Sequence, residues 1–231
     1  RVVIDIYADA HEAPQDAARR SKDSRAGASR LSMGSRRLST VVIDPGHGGK
    51  DPGAVGVGGI HEKDINLELA HLLARRLRAR SFNVVLTRKD DRFIDLEERT
   101  ALAESARGDI FVSIHANASS NKRLRGIEIY YLDEEFERHN VEVAARENGV
   151  RPDQVDTLQK TMARLRVAEA SKHSHSLANY VHRDLTRGLE AIYGKVSDLG
   201  VKRGPFYVLF MSSMPAILVE TGFLTNAQDA R

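Results

Sequence analysis

The sequence contains no cysteine, which excludes disulfides and thiolate metal sites without choosing a compartment. It also has no apolar run approaching the roughly 20 residues that a membrane-spanning helix needs. A secretory leader is missing, and the first residue is Arg rather than Met. The chain is therefore read as a mature or excised fragment whose targeting information lies elsewhere. No internal repeat is visible. The nucleotide-binding loops are absent too: Gly46-His47-Gly48-Gly49-Lys50-Asp51 lacks the final glycine of a dinucleotide loop, and Asp51 stands where a P-loop needs Ser or Thr. His61-Glu62 lacks the second histidine of a helical zinc-protease motif, since position 65 is Ile, and no serine occupies a nucleophile elbow.

What remains has the composition of a globular protein, with 231 residues, 41% apolar and 29% charged. The formal charge is +3, and the excess gathers in Arg19, Arg20, Lys22, Arg25, Arg30, Arg36 and Arg37. No aromatics are interleaved there, so residues 8–39 are read as a solvated basic linker rather than a nucleic-acid surface. Neither a nucleic-acid partner nor membrane insertion is expected. Before the linker, residues 1–7 (RVVIDIY) alternate like a strand, either the remnant of a preceding domain or an edge strand of the main sheet.

From residue 40 the chain alternates strands and helices. Val41-Val42-Ile43 reads as a buried strand, stopped by Asp44-Pro45-Gly46. His47 follows on a small-residue loop, with glycines that leave room beside the imidazole. Ile65, Leu69, Leu72, Leu73 and Leu77 give a helix over about 65–80 its buried face, and Glu62 falls at the loop-to-helix junction before it. Strands are expected at 83–87, 109–114 and 126–132, with a helix capped by Asp95 over 95–106. His115 directly follows the third strand. Residues 133–176 are charged and helical, with helices near 135–148 and 155–170, broken at Gly149 and Pro152. A further helix spans 177–189. Strands are expected at 204–209 and 216–219, with Glu220 just past the last.

This pattern predicts an α/β domain over 40–231: a mixed, largely parallel sheet flanked by helices, carrying a helical insertion. In such sheets ligands sit beyond the carboxyl ends of strands. His47, His115 and Glu220 share that placement, so residues distant in sequence can meet at one edge. Two histidines and a glutamate are a known ligand set for hydrolytic zinc. Glu62 can complete it, with His61 a neighbouring rival. Glu220 is then a second carboxylate, able to take a proton from the attacking water and pass it to a leaving amine. Arg88 and Asn117 lie near strand ends, where they could contact substrate; structural salt-bridging or loop hydrogen bonding is the simpler role for both. His173 and His175 are read as solvated.

The blocks VVIDPGHGGKDPGA, HEKDINLELA, FVSIHAN and GVKRGPFYVLFMSSMPAILVETGFLTN resemble, in the same order, the zinc-dependent N-acetylmuramoyl-L-alanine amidases, and most closely the group acting on septal peptidoglycan in cell division. The resemblance implies a single zinc held by His47, Glu62 and His115, with Glu220 as the catalytic carboxylate. It favours Glu62 over His61. The bond cut would be the amide between N-acetylmuramic acid and L-alanine, in the periplasm or another extracytoplasmic space. It also makes residues 1–7 resemble the end of a peptidoglycan-targeting domain, and the family's closing helix after Asn226 is absent here. Division amidases carry a helical insertion that covers the zinc cleft until a LytM-type activator moves it. Residues 133–176 stand where that insertion belongs, and Ala144-Ala145-Arg146-Glu147-Asn148 resembles its Ala-rich stretch. The expectation is that Glu147 reaches the zinc; Glu142 is the alternative, and an ordinary exposed helix carboxylate the plainer role.

Overall fold

Val42 and Ile43 are fully buried at the centre of strand β1 (Thr40–Pro45). The computed structural model describes residues 38–133 and 138–230. The strand expected at 1–7, the linker as far as residue 37, and the start of the helix expected near 135 lie outside the described residues.

After β1 come helix α1 (Glu62–Arg78), strand β2 (Asn83–Leu86), helix α2 (Leu96–Ser105), and strands β3 (Ile110–Asn117) and β4 (Ile127–Tyr131). Helices α3 (Arg138–Glu147) and α4 (Pro152–Tyr193) follow. Strand β5 (Asp198–Arg203), the short helix α5 (Tyr207–Phe210) and strand β6 (Ala216–Phe223) close the fold. The six strands form one sheet in the order β2-β1-β3-β6-β4-β5. Every neighbouring pair is parallel except β4 with β6, so the sheet is mixed and largely parallel, as expected.

Side chains alternate across the pleat, and the two faces carry separate cores. Val41, Ile43, Val112, Ile114, Ile217 and Val219 pack with Leu69, Ala70, Ala74 and Leu77 of α1 and Ala178 of α4. Leu177, Val181 and Leu185 cover the same face. On the other face, Val42, Phe111, Tyr130 and Leu218 meet Ala103 of α2, Val143 and Ala144 of α3, and Phe206, Val208 and Leu209 around α5. Asp95 caps α2 as its sequence predicts, accepting from the Glu98 amide at 2.8 Å.

Three expectations are corrected. GPFYVL (204–209) is not a strand; the chain turns there into α5, and its apolar side chains enter the core from a helical turn. The strand lies just before, at Asp198–Arg203, an edge strand paired only with β4. Its residues DLGVKR are mostly half-buried and lack the apolar alternation that marks a strand from sequence. The helices expected over 155–170 and 177–189 are parts of the continuous α4; no glycine or proline interrupts 153–187. Finally, β3 and β6 run longer than expected, so His115 and Glu220 lie within strands, paired directly with each other.

Candidate metal centre

Strands β1, β3 and β6 are adjacent and parallel, so their carboxyl ends open on one edge. His47 stands two residues past β1, His115 and Glu220 face that edge from β3 and β6, and Glu62 is the first residue of α1. Glu147, the last residue of α3, arrives from the opposite side. His47, Glu62, His115 and Glu147 each offer one donor atom, and these atoms all lie within 4.8 Å of one another. His47 Nε2 is 3.2 Å from Glu62 Oε1 and 3.1 Å from Glu147 Oε2. His115 Nδ1 is 3.0 Å from each of the same two oxygens. A tetrahedral ion with bonds of about 2.0 Å has donor-to-donor edges of about 3.3 Å. Two imidazoles and two carboxylates at this spacing therefore fit a zinc ion.

The electrostatics point the same way. Burial opposes a charge on His47, but hydrogen bonds with Asp51, Glu147 and Glu62 outweigh it and push the imidazole up to about 12. Burial likewise opposes charge on His115, and the carboxylates of Glu147 and Glu62 carry it up to about 9. Burial and the neighbouring Glu147 push Glu62 up, yet the two imidazoles hold it at about 2. Glu147 is held well below the usual carboxylate range by His115, His47 and Arg146 despite its burial. Two carboxylates thus gather two protons on the facing imidazoles, the charge that a divalent cation brings when it displaces them.

Several groups fix this geometry. Asp51 Oδ2 lies 2.8 Å from His47 Nδ1, so that nitrogen donates outward and Nε2 is left for the centre. Glu62 accepts from the Ala54 and Ala116 amides at 2.8 and 3.1 Å. His47 has a φ of 60°, a costly conformation for a residue with a Cβ. Two buried arginines grip the backbone that leads to it. Arg88 donates to Pro45 O, Gly46 O and Lys63 O at 2.8–2.9 Å, tying the His47 loop to the start of α1. Arg99 donates to Pro45 O and His47 O, each at 2.8 Å. It also pairs with buried Asp44 at 2.8 Å, which accepts from Thr87 and Ser113. The glycines make room for the ligands themselves: a Cβ on Gly46 would lie 2.3 Å from the His115 ring, and one on Gly53 2.6 Å from the His47 ring.

Glu220 adjoins the four donors without joining them. It is fully buried and neither oxygen has a hydrogen-bond partner. Burial, with the charges of Glu147 and Glu62, pushes its carboxyl well above the usual range. A buried orphan carboxyl is costly and marks a place where function outweighs stability.

The structure brings together His47, Glu62, His115, Glu147 and Glu220. His61 is turned out beside Asp64, Glu142 is exposed on α3, and His173 and His175 are exposed on α4. Arg88 is structural. Asn117 is buried, donating to Glu128 at 3.2 Å. Sequence reasoning missed Asp51, Arg99 and Asp44. The first had a signal, a carboxylate four residues past a loop histidine.

Residues 41–231 match the family described as N-acetylmuramoyl-L-alanine amidase. The chain belongs to the N-acetylmuramoyl-L-alanine amidase family. It is 36% identical over 191 residues to the amidase LytC of Bacillus subtilis, a match covering 83% of this chain and 30% of that one. It is 32% identical to the amidase AmiC of Neisseria meningitidis, over 84% of this chain and 48% of that one. The chain thus spans less than half the length of these two relatives. Among solved structures, the amidase AmiC2 of Nostoc punctiforme superposes with a TM-score of 0.57 at 34% identity, covering 83% of each chain. The catalytic domain of the amidase CwlV from Bacillus (Paenibacillus) polymyxa gives 0.54 at 31% identity, over 83% of this chain and 84% of that one. No helix among the described residues is long and apolar enough to cross a membrane.

Proposed function

We propose that residues 40–231 are a zinc-dependent hydrolase domain that cuts the amide between N-acetylmuramic acid and L-alanine in peptidoglycan. The observation that carries this is the set of imidazole and carboxylate donors, 3.0–3.2 Å apart, beside an unpartnered buried Glu220. His47, Glu62 and His115 hold the metal. When bound, zinc supplies a Lewis acid that polarises the scissile carbonyl and makes water more acidic. Glu220 takes the proton from the attacking water and delivers it to the departing L-alanine amine. A second buried carboxyl beside the metal donors is what proton transfer to a leaving amine requires, which favours the enzyme over a module that merely binds cell wall.

Glu147 closes the site. Its Oε2 occupies the fourth donor position, where substrate and water need access. Helix α3 keeps it there: Asn140 donates to Arg203 O and Asn148 to Pro205 O, at 2.8 and 3.0 Å, while Val143 and Ala144 pack against the core. The chain is then an amidase restrained by its own insertion, and a LytM-type activator that displaces α3 would release it. This suits an enzyme working outside the cytoplasm on wall remodelling and daughter-cell separation. The test is peptide release from purified sacculi, with and without chelator, by the parent chain and by Glu147→Ala. Chelator-sensitive release should rise several-fold in the variant; an unchanged low rate rejects the plug.

A further inference from the structure

Glu147 is not the only side chain that α3 places over the centre. Its neighbour Arg146 reaches past it. The Arg146 guanidinium donates to Ala118 O and to Asn117 Oδ1, each at 3.0 Å. One of its nitrogens, Nη2, also lies 2.7 Å from Glu147 Oε1 and 3.8 Å from Glu220 Oε1. At 3.8 Å Glu220 is in ion-pair reach but still has no hydrogen bond. The side chain is 37% exposed, so the place it fills opens to solvent at one end and meets the metal donors at the other.

Two fixed acceptors, Asn117 Oδ1 and the Ala118 carbonyl, line that place beside the Glu220 carboxyl, and the arrangement is enforced from behind. Asn117 could present either end of its amide, but its Nδ2 donates to Glu128 Oε2 at 3.2 Å, and a carboxylate only accepts. Glu128 is buried and held by the Tyr130 hydroxyl at 2.6 Å and by Lys202 Nζ at 2.8 Å. The Asn117 oxygen is therefore locked toward Arg146, next to a backbone carbonyl and an unpartnered carboxyl. With Arg146 withdrawn, Asn117 Oδ1 would keep only the Ala118 amide at 2.8 Å, while the Ala118 carbonyl and the Glu220 carboxyl would face the same small volume without a partner, which is costly.

Resting on the amidase reading, we propose that Asn117 Oδ1, the Ala118 carbonyl and Glu220 form a subsite for amide N–H donors of the stem peptide, which Arg146 fills as a built-in mimic. Each peptide bond on the L-alanine side of the scissile amide offers one N–H. The Asn117 and Ala118 oxygens favour groups that donate there over groups that only accept. Glu147 and Arg146 then block different things: the first the metal, the second the grip on the leaving peptide.

The test uses Arg146→Ala/Glu147→Ala and methylguanidinium as the probe, followed by calorimetry and by inhibition of peptide release. The subsite should bind methylguanidinium; Asn117→Leu on that background should weaken binding about tenfold or more, in line with the loss of a charge-assisted hydrogen bond, and Glu220→Gln, which removes the carboxyl 3.8 Å away, should weaken it as well. A muramoyl dipeptide should bind more tightly than its backbone N-methylated form, and the difference should vanish in Asn117→Leu. Methylguanidinium binding that depends on Asn117, in a chain that releases no peptide, keeps the subsite and removes the amidase. No binding, or binding indifferent to both Asn117→Leu and Glu220→Gln, overturns the proposal. If Asn117→Leu does not fold, Glu220→Gln alone decides it.

Discussion

His47, Glu62 and His115 stand on one side of the centre and Glu147 on the other, and the two sides are held by different means. On the sheet side, His47 follows and His115 lies in adjacent parallel strands, Glu62 opens α1, and Arg88 and Arg99 bond the carbonyls of 45–47. Glu62 alone accepts from two backbone amides. Every one of these bonds would have to break before the ligands could move. Glu147 instead ends a ten-residue helix fastened by the buried Val143, Ala144 and Ala145 and a few amide-to-carbonyl bonds. Under the function proposed above, the three sheet-side donors form the permanent site, and the fourth, with Arg146 beside it, is the part that an activator would withdraw.

The comparison is broken most severely at Glu220. Glu220→Gln should keep the sheet side intact, retaining zinc while turnover falls about 10²–10⁴-fold, the usual contribution of a positioned acid or base; loss of metal in that variant would make Glu220 a ligand instead. Next comes the frame beneath the ligands. Asp44→Asn leaves Arg99 buried without its counter-charge and should cost about 3–5 kcal/mol. The pH dependence has a definite sign. Burial would raise the Asp44 carboxyl, but Arg99 and the Thr87 hydroxyl hold it below its ordinary 3.8. A group depressed in the folded state stabilises above its unfolded value and loses that effect as pH falls through the folded one. Thermal unfolding should therefore show the parent's advantage over Asp44→Asn at neutral pH, shrinking as pH drops below about 3.8; an advantage that grows in acid would refute the assignment. The smallest effect is at Asp51. Removing the acceptor behind His47 in Asp51→Ala should weaken zinc about 10–100-fold, read by competition with a chromogenic chelator, without displacing α3.

The sheet side was also the side the sequence revealed. β-Branched runs ending in small-residue turns mark β1, and His47 and Glu220 declare themselves by standing just past apolar runs. Which glutamate of α3 points inward depended on where that helix lies, and spacing alone left Glu142 open. The buried arginines were hidden for a related reason: an Arg at a helix or strand end ordinarily reads as solvated, and only the fold shows three carbonyls converging on it. The β5 error arose because an edge strand needs little apolar alternation, whereas the apolar turn after it imitates a strand.

The most direct measurement is zinc content of the purified chain, taken together with peptide release from sacculi before chelation, after it and after zinc is restored. The account predicts a single zinc ion bound, release that stops on chelation, and recovery when zinc returns. A folded chain that takes up no divalent ion, or that works as well without one, would contradict it.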